Sequence, residues 1–513
     1  MTDARSTQPI WSATTDAELY GALTGDQETD VVVIGGGITG ITAAGLLRAA
    51  GKRVIVVDMD RVGSGETGHT TAHLTEVIDT RYATLMSDFG DDGAELVARA
   101  SREAIAQIEA IAQTIRCDFE RVPGFLYAED EGRVEELRRE TDAMARVGIA
   151  ASFIQAPPLP FAVAGAIRVD HQAQLQPRKY VLGLAEHARA AGCVIAERTK
   201  VLEIEDGAPC RVVTDHGVIT ATDVIVAANV PIANRLFLHT KLAAYRSYAI
   251  AGRATKPLER ALYWDTADPY HYVRTFDSPE GPLVIVGGED HKTGQDHDTE
   301  ERFSDLEHFA YERFGVEKAS YRWSGQIIES VDGLPFIGKN SASEHVYVAT
   351  GFSGNGMTFG VVAAQILTDA ILARENPYRD LFHATRIKPL AAVATFVTEN
   401  VDFPAHLVGD AFSGGDVESV EDVPIASGRL VRVKGRLLAV YRDDHDRVHA
   451  MSSICTHMKC RVKWNSAETS WDCPCHGARF DARGKVLNGP ALTDLESVDI
   501  DEPIVAMPIP ISE

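Results

Sequence analysis

Two cysteine–histidine pairs near the end of the chain offer the ligands of a metal centre. Cys455 and His457 form a Cys-x-His pair, and Cys473 and His476 form a Cys-x-x-His pair. Two thiolates and two imidazoles suit a tetrahedral zinc ion, and they equally suit a [2Fe–2S] cluster in which histidines replace two of the four cysteine ligands. The ligand types therefore predict a zinc or iron–sulfur site without distinguishing the two.

A glycine-rich turn near the start of the chain has the pattern of a dinucleotide-binding site. A strand predicted over residues 30–34 runs into a G-x-G-x-x-G sequence, and a strand predicted over residues 53–57 ends at Asp58. The glycines let the backbone approach a pyrophosphate, the helix that follows presents free N–H groups, and Asp58 can accept from a ribose hydroxyl. The residues predicted to contact the dinucleotide are Gly35, Gly37, Ile38, Thr39, Gly40 and Asp58.

A second glycine-rich segment follows a strand predicted over residues 345–350 and precedes a helix predicted over residues 361–373. Its spacing is not G-x-G-x-x-G, and no second strand ending in an acidic residue follows it. We therefore predict another loop-to-helix contact on the same ligand rather than a second dinucleotide domain. The residues predicted to make this contact are Gly354, Gly356, Met357 and Thr358.

Composition limits the classes of function. The formal net charge of −24 argues against binding nucleic acid, because the field of the protein would repel phosphates. The chain lacks a run of about 18 apolar residues and starts without the apolar core of a secretion signal, so we expect no membrane span and a cytoplasmic location. Seven cysteines in 513 residues do not make a disulfide scaffold.

Short predicted strands over residues 430–433, 437–441 and 448–451 begin after a stretch without periodic pattern, which places a domain boundary near residue 410. We predict an oxidoreductase part over residues 27–386, a linker over residues 387–409 and a cluster domain over residues 410–513.

The first part resembles the flavoprotein superfamily of D-amino-acid oxidase, glycine oxidase and sarcosine oxidase. The resemblance is carried by the turn at residues 35–40, by Asp58 where the family usually has Glu, and by the segments 65–75, 323–338 and 351–360. It implies bound FAD in an α/β and α+β fold, a Rossmann-like domain interleaved with a mixed-sheet substrate domain. It also implies cofactor contacts from Gly68, Thr70, Thr71 and Val201.

The last hundred residues resemble a Rieske [2Fe–2S] domain, which is all-β. The matching sequences are Cys455-Thr-His457-Met-Lys-Cys460, Cys473-Pro-Cys475-His476-Gly-Ala-Arg-Phe480 and Gly489-Pro-Ala. The resemblance implies that Cys455 and Cys473 bind one iron, that His457 and His476 bind the other, and that Cys460 and Cys475 form a disulfide. The extra cysteine pair and the proline loop favour the cluster over zinc.

Many Rieske proteins of high potential carry Ser and Tyr where this chain has Ala478 and Phe480. Those hydroxyls donate hydrogen bonds toward the cluster sulfurs and stabilise the reduced state. We therefore expect a potential below the top of the Rieske range, which runs from about −150 to about +300 mV.

A two-electron flavin and a one-electron cluster in one chain suggest a converter between the two kinds of transfer. The leading hypothesis is oxidation of a C–N bond in an amine or amino acid, with electrons passing to oxygen or to an external acceptor such as a redox partner protein. Arg274 is predicted to hold a substrate carboxylate, and Tyr248 and His271 to line the substrate chamber. His69 is predicted to make ordinary hydrogen bonds rather than a covalent bond to FAD.

Three alternatives remain open. A nicotinamide-dependent reductase needs a second dinucleotide domain, which the sequence does not show. A Rieske oxygenase needs a mononuclear iron site, for which Glu289, His291 and His297 are the nearest candidates. A redox sensor or electron-transfer flavoprotein needs no small-molecule amine at all.

Overall fold

The computed structural model describes residues 7–15, 19–232, 238–296, 298–386 and 415–500. They divide into two compact units: the first is drawn from Met1–His291 and Glu300–Glu399, and the second from Lys292–Thr299 and Asn400–Glu513. The predicted linker at 387–409 and the predicted boundary at 410 lie outside the described residues, so the domain limits stay a prediction.

Seven α-helices occur in the described part of the chain. They are α1 (Ile10–Ala13), α2 (Ile38–Ala49), α3 (Tyr82–Ala112), α4 (Val134–Arg146), α5 (Pro177–Ala190), α6 (Thr299–Phe314) and α7 (Gly356–Ile371). None of the helices in these ranges combines the length and apolarity needed to cross a membrane.

The first unit contains the strands of two sheets. They are β1 (Gln27–Ile34), β2 (Val54–Val57), β3 (His73–Leu74), β4 (Glu120–Ala128), β5 (Ala151–Ile154), β6 (Gly165–Gln174), β7 (Val194–Ala196), β8 (Val201–Glu205), β9 (Cys210–Thr214), β10 (Gly217–Val226), β11 (Leu242–Ala254), β12 (Leu262–Trp264), β13 (His271–Ser278), β14 (Gly281–Lys292), β15 (Val316–Ser330), β16 (Phe336–Lys339) and β17 (Val346–Thr350).

Sheet 1 has the order β16-β17-β10-β1-β2-β7, with β9 and β8 extending from β10. Its centre is parallel, from β17 through β10, β1 and β2 to β7. Val31 and Val33 join the core that contains α2 and α7, while Val32 and Ile34 join the core on the other face. Burial on both faces explains why β1 is a continuous apolar run, as expected for a central parallel strand.

Sheet 2 has the order β15-β11-β14-β13-β12-β4-β6-β3, and β5 pairs with β6. Side chains alternate between its two sides, since the period of a strand is two residues. We call the side that carries Ser247, Tyr272 and Arg274 the inner face, because Arg274 contacts Thr71 and Ala72. The outer face carries His271, whose ring stacks on Phe309 of α6 at 3.8 Å between ring centroids.

The second unit is built from two small antiparallel sheets. Its strands are β18 (Ser427–Val433), β19 (Arg436–Arg442), β20 (Val448–Ser452), β21 (Lys463–Asn465), β22 (Ser470–Asp472), β23 (Arg479–Asp481) and β24 (Val486–Asn488). The strands β18 to β20 form one sheet, and β21 to β24 form the other. The predicted fold classes, α/β and α+β followed by all-β, are confirmed.

Candidate functional site

The first glycine turn connects β1 to α2 in a conformation that requires glycine. Gly35 has a φ of +111°, and a Cβ there would lie 2.4 Å from the carbonyl oxygen of Ala227. A Cβ on Gly40 would lie 1.9 Å from the carbonyl oxygen of Gly35. Gly37 is the N-cap of α2, where no side chain caps the helix. Ile38 and Thr39 are the first two residues of α2, so the predicted phosphate contacts lie at a helix N-terminus, although the N–H of Ile38 donates to Oγ1 of Thr67 at 3.1 Å.

Asp58 follows β2 and closes this turn. Its Oδ2 accepts from the N–H of Gly36 at 2.7 Å, and its Oδ1 accepts from the N–H of Asp60 at 2.8 Å. Burial raises the pKa of this carboxyl to about 6. Val201 packs in the same apolar cluster as Val57, the residue that precedes Asp58 in the sequence. These contacts place Asp58 beside the turn, and its hydrogen bond to a ribose hydroxyl stays a prediction.

The segment from Gly68 to Leu74 is held by side chains from distant parts of the chain. The indole of Trp323 donates to the carbonyl of His69 at 2.7 Å, and the indole of Trp11 donates to the carbonyl of Thr70 at 2.6 Å. The Thr71 hydroxyl lies 3.0 Å from Nδ1 of His73. Four residues predicted for this region, Gly68, His69, Thr70 and Thr71, thus lie on one braced segment.

His69 makes the ordinary hydrogen bond that the sequence favoured. Its Nδ1 lies 2.9 Å from the carbonyl oxygen of Gly65. Gly68 ends a short 3₁₀ turn, and a Cβ there would lie 2.3 Å from the carbonyl oxygen of Gly63. The contact of His69 supports noncovalent cofactor binding, which stays a prediction.

The late glycine segment forms the start of α7. The N–H of Gly354 donates to Oδ2 of Asp79 at 2.6 Å. Thr358 donates to the carbonyl of Thr75 at 3.4 Å, and Met357 is buried. A Cβ on Gly360 would lie 2.8 Å from Cγ2 of Ile38, so α7 packs closely on α2. This close packing supports the prediction that both glycine segments, including Gly356 at the start of α7, contact one ligand.

The residues present fit FAD. The N-cap residues of α2 and α7, Gly37 and Asn355, make no side-chain capping hydrogen bond, and in α2 the Thr67 hydroxyl accepts from the N–H of Ile38 alone. Free N–H groups at helix N-termini suit a pyrophosphate and other electron-rich groups. The glycine turn admits backbone approach, as the close Cβ contacts at Gly35 and Gly40 show. A long dinucleotide with phosphates and a polar ring therefore matches the donors that the first unit offers.

Two of the three predicted substrate residues lie on the outer face. The Tyr248 hydroxyl lies 2.9 Å from Nε2 of His291, and the Tyr248 ring packs edge-on against Phe303 of α6. His271 contacts Asp265 through Nδ1 at 2.7 Å and Glu289 through Nε2 at 3.2 Å. Both side chains therefore pack under α6 rather than toward the braced segment. These contacts do not support their predicted place in the chamber.

Burial by itself lowers the pKa of His271. The hydrogen bonds to Asp265 and Glu289, and the negative charges of these two carboxylates, have a larger combined effect in the other direction. Together they raise the pKa of His271 to about 9. The imidazole is therefore a buried cation between two carboxylates at neutral pH. This arrangement is typical of a structural ion pair under a helix.

Arg274 lies on the inner face, where its guanidinium is used by the backbone. Nη1 donates to the carbonyls of Thr71, Ala72 and Leu175, each at 3.0 Å. The side chain is 2% exposed, and burial lowers its pKa to about 9. Arg274 therefore braces the segment instead of presenting a free fork to a carboxylate, and the predicted carboxylate contact lacks support.

The inner face carries polar residues that the sequence did not identify as site residues. The Tyr272 hydroxyl lies 2.6 Å from Oγ of Ser247. Ser247 also hydrogen bonds to the Asp290 carboxyl. The Tyr272 ring lies edge-on to the imidazole of His73, with ring centroids 5.9 Å apart. A Cβ on Gly287 would lie 2.0 Å from this ring, so glycine is what admits Tyr272.

Asp290 reaches the inner face because the backbone departs from regular strand geometry just before it. Gly288 has a φ of +143° and Glu289 a φ of +57°. Glu289 therefore turns to the outer face, where it contacts His271 and Arg302. Asp290 turns to Ser247 instead. In a regular β14, Glu289 would instead lie on the inner face and Asp290 on the outer face.

Asp79 lies beside this group. The side chain is solvent-accessible, yet it lies deep enough in the first unit for desolvation to raise the pKa of its carboxyl. A Cβ on Gly354 would lie 2.9 Å from Oδ2 of Asp79 and 3.1 Å from the Tyr270 hydroxyl. Both groups therefore approach the late glycine segment. The solvent accessibility of Asp79 and its raised pKa are compatible if the carboxyl lines an internal space that solvent enters.

In the second unit, the four predicted ligands come together on two loops. The Cys455 and Cys473 thiols hydrogen bond to each other. The rings of His457 and His476 lie 5.0 Å apart between centroids. The N–H of Cys455 donates to the carbonyl of Cys460 at 2.7 Å, so the first loop closes on itself. Each loop thus presents one thiol and one imidazole.

Cys460 and Cys475 form the disulfide that the resemblance implied. The sulfur atoms of Cys460, Cys473 and Cys475 lie within 4.8 Å of one another, which by distance alone makes them a candidate metal group. The disulfide removes two of these thiols, so Cys455, Cys473, His457 and His476 are the donors that remain. The donor set fits a [2Fe–2S] cluster with two thiolate and two imidazole ligands.

The candidates for a mononuclear iron site are engaged elsewhere. Glu289 contacts His271 and Arg302, and His291 contacts Tyr248. His297 lies outside the described residues. These contacts give the oxygenase alternative no support.

Comparisons with known proteins agree with both halves. The model of the FAD-dependent oxidoreductase family (DAO) matches residues 30–370, and the model of the Rieske [2Fe-2S] domain matches residues 415–499. A putative Rieske 2Fe-2S iron-sulfur protein of Bacillus subtilis, YhfW, is 33% identical over 96% of this chain and 98% of its own length. The gamma-glutamylputrescine oxidoreductase of Escherichia coli is 24% identical over 67% of this chain and 83% of its own length.

Among solved structures, glycine oxidase from Geobacillus kaustophilus superposes with a TM-score of 0.61 at 21% identity, covering 70% of this chain and 99% of that one. At this identity the superposition shows a shared fold. The family match extends over more than half of the chain, and the YhfW match extends over both halves. The chain therefore belongs to the FAD-dependent oxidoreductase family and carries a Rieske [2Fe-2S] domain at its C-terminal end.

Proposed function

We propose that this flavoprotein oxidises the C–N bond of an amine or amino acid and delivers the electrons singly to an external acceptor through its Rieske cluster. Bound FAD supplies a two-electron acceptor, and the cluster supplies a one-electron carrier. The supporting observation is the polar inner face of sheet 2, which lies over the braced segment from Gly68 to Leu74 in a chain that also contains the cluster ligands.

Loss of a hydride from carbon and a proton from nitrogen converts an amine into an imine, which water then hydrolyses. The chain must therefore orient the C–N bond and exclude water until the hydride has left. Tyr272 and Ser247 are fixed to each other at 2.6 Å, so they offer hydroxyl groups in a set position. Burial raises the pKa of Tyr272, so its hydroxyl stays protonated and can donate a hydrogen bond.

Arg274, Trp11 and Trp323 are positioning residues that act through the backbone and do not contact the substrate. Each donates to a backbone carbonyl between His69 and Ala72, and together they hold this segment against the inner face. Because these donors come from α1, β13 and β15, the segment is fixed from three sides. A rigid segment at this place would keep the flavin and the substrate in one geometry.

The test is anaerobic mixing of the holoenzyme with a panel of primary, secondary and N-methylated amines and amino acids. Flavin and cluster absorbance are followed separately. The proposal expects flavin bleaching by at least one compound, followed by cluster reduction. In a cluster-free variant, His457→Ala, the flavin should bleach without the second phase.

Flavin that is bleached by none of the panel overturns the proposal. Reduction of the flavin by an electron-donor protein alone would then identify an electron-transfer flavoprotein. Repeating the mixing in air distinguishes the acceptors: reoxidation that produces hydrogen peroxide identifies an oxidase.

A further inference from the structure

The inner face of sheet 2 bears a carboxylate that the folded protein does not fully satisfy. Asp290 hydrogen bonds to Ser247, but its Oδ1 is buried and has no hydrogen-bond partner among the described residues. A buried carboxylate oxygen without a donor is costly, since desolvation is not repaid. The arrangement therefore calls for a donor from outside the chain.

Arginines on the neighbouring strands do not serve this face as anion binders. Arg274 uses its guanidinium on three backbone carbonyls. Arg246 lies on the outer face with Ser324, the cross-strand neighbour of Tyr248. Arg253 is exposed and donates to the carbonyl of Glu280. None of the three presents a free fork to a substrate carboxylate beside Tyr272.

The other charges near Asp290 are largely negative. Asp79 and Glu289 act on it as like charges, and His271 acts as an opposite charge from the outer face. Arg81 acts on Asp79. Burial, with these like charges, raises the pKa of Asp290 to about 7. A cationic ligand would relieve both the missing donor and the repulsion between carboxylates.

We propose that Asp290, held by Ser247 beside Tyr272, binds the ammonium group of the substrate, so that the site prefers amines without a carboxylate on the oxidised carbon. The inference rests on the proposed function and narrows its substrate class. An α-carboxylate would bring a further negative charge to a face that already carries Asp79 and Asp290.

The first experiment measures binding rather than turnover. Tert-butylammonium and pivalate share a tert-butyl group and carry opposite charges, and the amine has no hydrogen on its α-carbon, so neither is oxidised. Their binding to the FAD-loaded full chain is followed by the change in the flavin spectrum. The proposal expects tighter binding of the cation by the wild type, and a loss of about tenfold or more in Asp290→Asn, because a charge-assisted hydrogen bond is removed.

The matched control is Asp305→Asn, the same change at an exposed position of α6. It should leave both affinities as in the wild type. Pivalate that binds the wild type at least as tightly as the cation overturns the proposal without any variant. Cation binding that is unchanged in a folded Asp290→Asn also overturns the proposal. If the amide variant does not fold, the same binding measurement is made on Asp290→Glu.

The second experiment compares kcat/KM for substrate pairs that differ by one carboxylate: butylamine with norvaline, and putrescine with ornithine. The amine of each pair should be preferred by about tenfold or more, and Asp290→Asn should reduce this preference. Preference for the amino acids refutes the inference while leaving the proposed function intact. Charge-dependent binding without flavin reduction by any amine refutes the proposed function and leaves the cation site intact.

Discussion

The cluster loops of the second unit join strands of three to five residues, whereas the inner face of sheet 2 is carried by strands of eight to thirteen residues, and the two regions recruit their residues differently. The four cluster ligands and the disulfide lie between Cys455 and His476, on two loops. The inner face combines Asp79, Ser247, Tyr272 and Asp290 from separate strands and loops, and the contact between Asp79 and Gly354 joins residues 275 positions apart. The residues of the first site are close together in the sequence, whereas those of the second are brought together only by tertiary contacts.

The difference predicts that a single change destroys the cluster site completely. In His457→Ala the second iron loses a ligand, so the characteristic electron paramagnetic resonance signal of the reduced cluster and the bound iron should both disappear. The control is His308→Ala, at an exposed position of α6, which should keep both. A normal signal in His457→Ala would show that the cluster does not use this imidazole.

On sheet 2 the strongest effect should come from a residue that does not touch the substrate. Arg274→Met removes donors to three buried carbonyls, and we expect the free energy of unfolding to fall by about 3 kcal/mol or more, with loss of bound FAD. Denaturant unfolding and flavin content measure this, with the exposed Arg253→Met as control.

A stable, FAD-replete Arg274→Met with a raised KM for amino acids alone would contradict this assignment. It would return Arg274 to the carboxylate-binding role that the sequence suggested.

His271 should contribute to stability in a defined pH range. Its folded pKa of about 9 is raised above the unfolded value of about 6.5, so its contribution is fully present below pH 6.5 and is lost as the pH rises through 9. Relative to His271→Gln, the wild type should gain about 3 kcal/mol at low pH from this shift. Unfolding at pH 6, 7.5 and 9.5 measures the decline.

The exposed His308→Gln is the control and should show no such decline. Amine oxidation should survive in His271→Gln at permissive temperature, because the side chain lies on the outer face. A selective loss of kcat with stability unchanged would instead make His271 part of the chemistry.

The smallest predicted effect concerns the cluster potential. Ala478 and Phe480 are both fully buried, so hydroxyls placed there would meet little competing water. Ala478→Ser and Phe480→Tyr should each raise the potential by about 60 mV, the equivalent of about 1.4 kcal/mol for one electron. Redox titration measures the shift, with Ala482→Ser as control. A wild-type potential of about +300 mV would contradict the starting premise.

Local sequence patterns were sufficient to predict those parts of the structure in which residues close in sequence are also close in space. The strand, glycine turn and helix from β1 to α2, with Asp58 after β2, follow from spacing that backbone geometry imposes. The cluster loops follow for the same reason.

The contacts of the predicted substrate residues do not support their roles, and the sequence does contain a signal that separates these residues. His271 and Arg274 are an odd number of positions apart, so on one strand they must point to opposite sides. Tyr272 and Arg274 are two apart and share the inner face. Applying the strand period to this segment would have selected Tyr272 and set His271 aside.

Asp290 and Asp79 had no such signal. Strict alternation along β14 would have put Glu289, not Asp290, on the inner face, and the left-handed backbone at Gly288 and Glu289 reverses this. Asp79 gains its place from the late glycine segment, which lies far away in the chain. Only tertiary contacts identify either residue.

The irregular backbone at Gly288 and Glu289 decides which carboxylate of β14 reaches the inner face. Gly288 has a φ of +143°, a conformation that residues with a side chain rarely adopt. If this backbone became regular with the same number of residues, Glu289 and Asp290 would exchange faces. The inner face would then receive the side chain that now pairs with His271. A homologous strand with a larger residue in place of Gly288 would thus present a different carboxylate while keeping nearly every other amino acid, so one glycine without a functional group helps to set the chemistry of this face.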